Sequence, residues 1–217
     1  MGIKEDAEEV LKRHDFSGDV DPVPALPKAS VLIPLMVKDG VLHALMTLRS
    51  MQMRTSAGEV CFPGGKMELG DRDEVHTALR EAEEEIGLPP DLVQVVSRLV
   101  PITSKFGLLV TPVVGFIPET FTPCPNPAEV SEVFTVPLDL FLSQKNHVNP
   151  HGAMRHSFTY IDPSTGTEHR IWGLTAMFAI MAAVLALGRK TEFDLGLDSV
   201  DLPRALRQRL RKTMSKL

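Results

Sequence analysis

The sequence predicts an α+β fold, a mixed β-sheet covered by helices. Apolar runs of strand length recur along the chain, separated by turn-forming pairs. One segment, 73–86, instead carries apolar residues at helical spacing and ends in Gly87, and 174–187 is a longer apolar run of helix length. Strands and helices follow one another without the regular alternation of a doubly wound sheet. At 217 residues the chain suits one domain with a sizeable core and terminal additions.

Taken in order, residues 4–14 read as a helix, with Val10 and Leu11 apolar among charges. Pro22, Pro24 and Pro27 mark residues 18–28 as an arm or linker. Val31 to Val37 and Val41 to Leu48 are strands joined through Asp39-Gly40, a strong hairpin signal. Val60 to Phe62 is a short strand, broken by Pro63-Gly64-Gly65. Residues 73–86 form a helix stopped by Gly87 and Pro89-Pro90. Leu92 to Ile102 and Leu108 to Ile117 read as a second hairpin, followed by a proline-rich stretch over 118–127. Val133 to Val136 is a strand and 137–142 a short helix. Phe158 to Ile161 and Glu168 to Trp172 flank a turn and make a third hairpin. An apolar helix over 174–187 and a basic C-terminal helix complete the chain. These elements divide it into an arm (1–28), one domain (29–203) and a basic tail (204–217).

Composition narrows the function. With 43% hydrophobic and 24% charged residues, the chain is neither disordered nor collagen-like. A net charge of −5 disfavours a nucleic-acid partner, which would need a basic face. Two cysteines, Cys61 and Cys124, are too few for a disulfide scaffold and point to a reducing compartment. The longest apolar stretch, Ile171 to Leu187, falls short of the roughly 20 residues that span a bilayer and reads as a buried helix, so no membrane span is expected. The polar N-terminus is unlike a signal peptide.

Charge is concentrated in one place. Glu68 to Glu85 holds eight acids against two bases. At about 100° per residue, Glu84 and Glu85 fall about 60° and 40° to either side of Glu81, while Val75, Leu79, Ala82 and Ile86 form a separate stripe. The helix can therefore bury one face and present carboxylates on the other. A solvated acidic face would usually carry Lys or Arg at i+4, yet no base follows Glu81 until Arg98. Unpaired hard oxygen donors suit Mg²⁺ or Mn²⁺. The glycines of Phe62-Pro63-Gly64-Gly65 let backbone approach a ligand just ahead of this helix.

Gly65, five residues, Asp71, eight residues, then Arg80-Glu81-Ala82-Glu83-Glu84-Glu85-Ile86-Gly87-Leu88 resembles the Nudix box of the Nudix hydrolases. The chain departs from the family pattern twice: Asp71 stands where Glu is usual, and the gap to Arg80 is one residue longer. The resemblance implies an α/β/α sandwich with a mixed central β-sheet, and hydrolysis of a diphosphate linked to another group. It implies Glu81 and Glu85 as metal ligands with Glu84 sharing the cluster, Arg80 orienting or balancing them, and a Gly64 or Gly65 carbonyl as a further ligand. Glu84 and Glu129 are both candidates for the general base.

A second resemblance concerns substrate. Leu45-Met46-Thr47, Arg49-Ser50, Arg54, Gly58 and Phe62-Pro63-Gly64-Gly65 are similar to the motif upstream of the box in coenzyme A diphosphatases. Asn126-Pro127-Ala128-Glu129-Val130 with Val133-Phe134 is similar to the same subfamily, and the likeness runs from about residue 30 to 176. It implies coenzyme A and acyl-coenzyme A as substrates. Arg49 and Arg54 can pair the anionic diphosphate and 3′-phosphate. The rival readings are a Nudix hydrolase of ADP-ribose or NADH, and a non-catalytic coenzyme A sensor. Finally, Ser215-Lys216-Leu217 matches the tripeptide read by the peroxisomal import receptor, so peroxisomal location is expected.

Overall fold

Strand β1 (Lys28–Lys38) runs through the middle of the protein and organises its neighbours. The computed structural model describes residues 2–16, 26–149, 156–196, 204–206 and 208. The basic C-terminal segment beyond these positions, with Ser215, Lys216 and Leu217, lies outside the described residues. So does most of the proline-bearing arm.

At its C-terminal end β1 turns back into β2 (Val41–Arg49) through Asp39 and Gly40, whose φ values of 50° and 75° are the left-handed pair such a two-residue hairpin requires. The two strands pair only over Leu35–Lys38 and Val41–Ala44. Beyond that they diverge, and two short strands fill the gap. β3 (Val60–Cys61) pairs with β2, and β4 (Gly64–Lys66) pairs with β1 at Ala29, Ser30 and Val31. Sequence patterning does not reveal β4, because a Gly-Gly-Lys segment has no alternation to read. Its glycines are there for fit. A Cβ on Gly64 would lie 2.6 Å from the Val31 Cα and inside contact with the Ser30 carbonyl.

On the other side β1 pairs in parallel with β7 (Leu109–Phe116) over eight residues, which makes the sheet mixed. The expected single strand from 92 to 102 is two strands. β5 (Gln94–Arg98) and β6 (Ile102–Thr103) both pair with β7, separated at Pro101, which has no N–H to offer a ladder. β8 (Val130–Pro137) covers the outer side of β2 along almost its whole length and leads into a 3₁₀ turn, Leu138–Leu142. The hairpin of β10 (Ser157–Ile161) and β11 (Glu168–Trp172) appears where expected. With β9 (His147–Val148), too short to read from sequence, it forms a separate three-stranded sheet.

The helices cover both faces. α2 (Glu74–Ile86) starts at Asp73, whose side chain accepts from the His76 N–H at 2.8 Å. It ends at Gly87 in the left-handed region, φ 66°. It packs Ala78, Ala82 and Ile86 against Leu32, Leu45 and Val113. Neighbouring Ile33, Ala44, Met46 and Val114 face the opposite way, as alternation along a strand demands, into the cluster shared with α1 (Ile3–Arg13) and α3 (Gly173–Leu187). The result is the expected three-layer α/β/α sandwich. α3 is buried along most of its length, and among the described residues no helix is long and apolar enough to cross a membrane.

Gly64→Ala is expected to lower stability by about 2 kcal/mol or more, through overpacking of the β1–β4 pair. The urea midpoint checks this against Gly70→Ala, a site with nothing within 4 Å of the added carbon, which should be near neutral.

Candidate active site

The gap between β1 and β2 places the Gly64–Gly65 backbone directly beside α2. A Cβ on Gly65 would collide with the carboxylate of Glu81, so the glycine leaves the space that this side chain occupies. Glu85 lies deeper. It is only 3% exposed and accepts from the Gly64 N–H at 3.1 Å. The buried stripe of α2 is thus rotated from the expected one: Thr77, Ala78, Ala82, Glu85 and Ile86 are buried, whereas Val75 and Leu79 are only partly so. The reason is that β4 crosses beside the helix and covers the edge on which Glu85 stands.

Asp71, whose role the motif alone leaves open, has a definite place. Its side chain is 1% exposed and takes two hydrogen bonds from Arg80, Nε to Oδ1 and Nη2 to Oδ2, both 3.0 Å. It also accepts from the Glu68 N–H and the Thr77 hydroxyl. These partners, Arg80 foremost, hold its carboxyl well below the usual carboxylate range. Arg80 in turn donates to Glu81 at 3.1 Å, to Glu84 at 3.0 Å and to the Lys66 carbonyl at 3.1 Å. One guanidinium therefore links the loop before α2 to two of its acids.

The other two carboxyls are less compensated. Burial pushes Glu85 up to about 8, against the opposing pull of the Gly64 N–H and of Arg49. Burial likewise raises Glu81 despite its bond to Arg80. Arg49, at the end of β2, approaches Glu85 at 4.0 Å through Nη1, and its buried Nε has no hydrogen-bond partner. Glu129 comes from the loop ahead of β8. Asn126 donates to its carboxylate at 3.4 Å, and its carbonyl accepts from the Ser50 N–H. The same loop is fastened to the end of α2, where Cys124 N–H meets the Ile86 carbonyl and Asn126 N–H that of Glu85, both at 2.9 Å.

Arg49, Gly64, Gly65, Glu81, Glu85 and Glu129 line one cleft of about 650 Å³. Of the other candidates, Glu84 is half exposed and turned to Arg80, and Arg80 is held among carboxylates. Arg54 is exposed on the loop after β2 and does not line the cleft. Cys61 does line it, but burial raises its thiol pKa, so it is a neutral neighbour of Thr47 and not a nucleophile. Sequence reasoning also passes over the far wall, formed by Lys105, Phe106 and Trp172.

Among the described residues, no three Asp, Glu, His or Cys side chains are already gathered as a metal cage. The donor set nevertheless fits a hard divalent cation. Two carboxylates lie against a backbone that only glycine permits, and Arg49, 4.0 Å from Glu85, leaves a buried N–H unpaired.

The NUDIX domain profile matches residues 26–158, more than half of the chain. The chain belongs to the Nudix family. Curated relatives agree. It is 44% identical over 181 residues to the peroxisomal coenzyme A diphosphatase NUDT7 of Mus musculus, covering 81% of this chain and 77% of the relative. It is 40% identical over 203 residues to Nudix hydrolase 15, mitochondrial, of Arabidopsis thaliana, covering 88% and 71%. A solved Nudix hydrolase, RenU from M. Smegmatis, aligns with a TM-score of 0.46 and 23% identity over 52% of this chain and 71% of its own. As a Nudix hydrolase, the protein carries its box from β4 through the following loop and α2 to Leu88 just beyond it.

The raised pKa of Glu85 has a stability consequence in metal-free protein. Its folded value of about 8 exceeds the ordinary glutamate value of 4.5, so the folded state binds the extra proton. Stability from this group is complete below about 4.5 and is lost as pH rises through 8. In chelator, the melting temperature should fall from pH 6 to pH 9, and Glu85→Gln should flatten that fall. Equal slopes in wild type and variant would contradict it.

Proposed function

We propose that this Nudix hydrolase cleaves the diphosphate of coenzyme A and acyl-coenzyme A. The products are adenosine 3′,5′-bisphosphate and 4′-phosphopantetheine or its acyl form. The observation that carries the reading is the cleft in which the partly buried Arg49, its Nε unpaired, approaches Glu85 and shares the lining with Glu81. The mouse relative, named as a coenzyme A diphosphatase, supports the substrate.

A diphosphate repels an incoming nucleophile because its oxygens are already negative. Mg²⁺ or Mn²⁺ bound at the carboxylates supplies charge neutralisation and lowers the pKa of a coordinated water. Glu81 and Glu85, with Glu84 nearby, are the residues that would hold it, and a Gly64 or Gly65 carbonyl would add an oxygen. Arg80 keeps Glu81 and Glu84 oriented. Arg49 pairs with a diphosphate oxygen. Glu129, on the cleft wall, is the better candidate for accepting its proton, since Glu84 is engaged with Arg80 and does not line the cleft. The water oxygen bonds to one phosphorus, the bridging P–O bond breaks, and the bridging oxygen leaves on the other phosphate.

Incubation with coenzyme A and Mg²⁺, followed by mass spectrometry, should yield both products. Glu85→Gln and Glu81→Gln should each reduce turnover by about two orders of magnitude or more while keeping the fold. Wild-type rates in both variants at saturating Mg²⁺ would overturn the metal assignment. Release of AMP from ADP-ribose without cleavage of coenzyme A would favour the other nucleoside diphosphates.

The reading carries a location with it. The mouse relative is named as peroxisomal, the Arabidopsis relative as mitochondrial, and Ser215-Lys216-Leu217 matches the peroxisomal address. A fluorescent protein fused ahead of the whole chain should enter peroxisomes, and Leu217→Asp should leave it outside. Mitochondrial signal from the unaltered fusion would reject the assignment.

A further inference from the structure

The cleft has two chemically different ends. One is the carboxylate end. The other is built by the loop between β6 and β7 and by the end of β11. Two large aromatic side chains stand exposed there, Phe106 at 65% and Trp172 at 39%. Both share one cation. The Lys105 Nζ lies 4.9 Å from the Phe106 ring centroid and 5.6 Å from that of Trp172. The Arg170 guanidinium lies 5.8 Å from Trp172. The loop is braced to present these groups. Ser104 Oγ accepts from the N–H groups of Phe106 at 3.3 Å and Leu108 at 3.1 Å, and Gly107 takes φ 75° to close the turn.

We infer that this aromatic and basic end is the seat of the adenosine 3′-phosphate half of the substrate, with Phe106 and Trp172 contacting the base and Lys105 pairing the 3′-phosphate. The inference rests on the coenzyme A reading above. Its argument is charge and shape complementarity within one continuous cleft. Adenine offers a flat π face, for which exposed aromatic rings are the natural partner. The 3′-phosphate is a dianion, and the Lys105 ammonium beside those rings is suited to it. The pantetheine arm has neither a ring nor a charge and would gain little from this end. Arg49 stands beside the carboxylates, 4.0 Å from Glu85, where the diphosphate must sit. It is therefore not the residue that distinguishes coenzyme A from dephospho-coenzyme A, and Arg54 does not line the cleft.

Trp172 is the only tryptophan in the chain, so intrinsic emission reads this end directly. The full-length protein would be titrated with adenosine 3′,5′-bisphosphate, AMP and 4′-phosphopantetheine, with binding measured in parallel by equilibrium dialysis. Adenosine 3′,5′-bisphosphate should quench the emission and bind about ten-fold or more tightly than AMP, and 4′-phosphopantetheine should leave the emission unchanged. The Lys105→Ala variant should lose that preference. Its kcat/KM ratio for coenzyme A over dephospho-coenzyme A should fall by a similar factor. Quenching by 4′-phosphopantetheine, bisphosphate that binds without quenching or fails to bind, or equal affinity for the two nucleotides would each overturn the proposal. Hydrolysis of coenzyme A by the wild type is scored separately. Bisphosphate-specific quenching without cleavage would reject the reaction and keep the subsite.

Discussion

Repulsion among carboxylates is the problem this structure has to solve, and Arg80 is the group that solves most of it. Asp71, Glu81 and Glu84 all hydrogen-bond to one guanidinium, whose remaining bond goes to the Lys66 carbonyl. The planar fork suits this arrangement, since two parallel bonds hold Asp71 while other N–H groups point along the helix. Asp71 is one methylene shorter than the glutamate usual at its place. It compensates by taking Glu68 N–H and Thr77 Oγ1 as well, which draws its loop against the first turn of α2. The loop, β4 and the helix are thereby locked as one unit, and the glycine backbone stays against the acids it serves.

Glu85 is the exception left outside that network, and its position explains the chemistry of the cleft. A carboxyl this deeply buried, with one backbone N–H and a distant arginine as partners, is poorly stabilised as an anion. A fold that keeps such a group has placed electrostatic demand where a cation can meet it. The sheet makes this possible by splitting. β1 and β2 separate after a short paired stretch, β3 and β4 enter between them, and the resulting opening runs from the carboxylates to the exposed rings of Phe106 and Trp172. One cleft thus passes from an acidic end to an aromatic, cationic one, an ordering that suits a substrate with a diphosphate next to a phosphorylated nucleoside.

Local signals were legible wherever a local rule fixes the backbone. Asp73 at the start and Gly87 at the end of α2, Asp39-Gly40 between two apolar runs, and the turn between β10 and β11 each sit where the sequence places them. β4 and β9 were not legible, because strands of two or three residues exist only through the neighbour they pair with. The interruption at Pro101 had a local signal, a proline without an N–H inside an apolar run, but that both pieces stay paired to β7 shows only in the sheet. At the site, the acids themselves were readable from helical spacing. The burial of Glu85 was not, because the wheel places it only at the edge of the apolar stripe and says nothing of β4. Phe106 and Trp172 carry no local pattern that separates a cleft wall from a surface.

By itself, then, the sequence determined the family, the acidic helix, its caps and the glycine turn before it. These depend on contacts between residues close along the chain, or on a motif whose spacing is itself the signal. Tertiary structure decided which acids are buried, which arginine reaches the cleft, and what stands at its far end. Each of those depends on desolvation and on groups brought together from β2, β4, α2, the loop ahead of β8 and β11. Residues far apart in sequence acquire a shared dielectric and a shared cavity only once the sheet has formed.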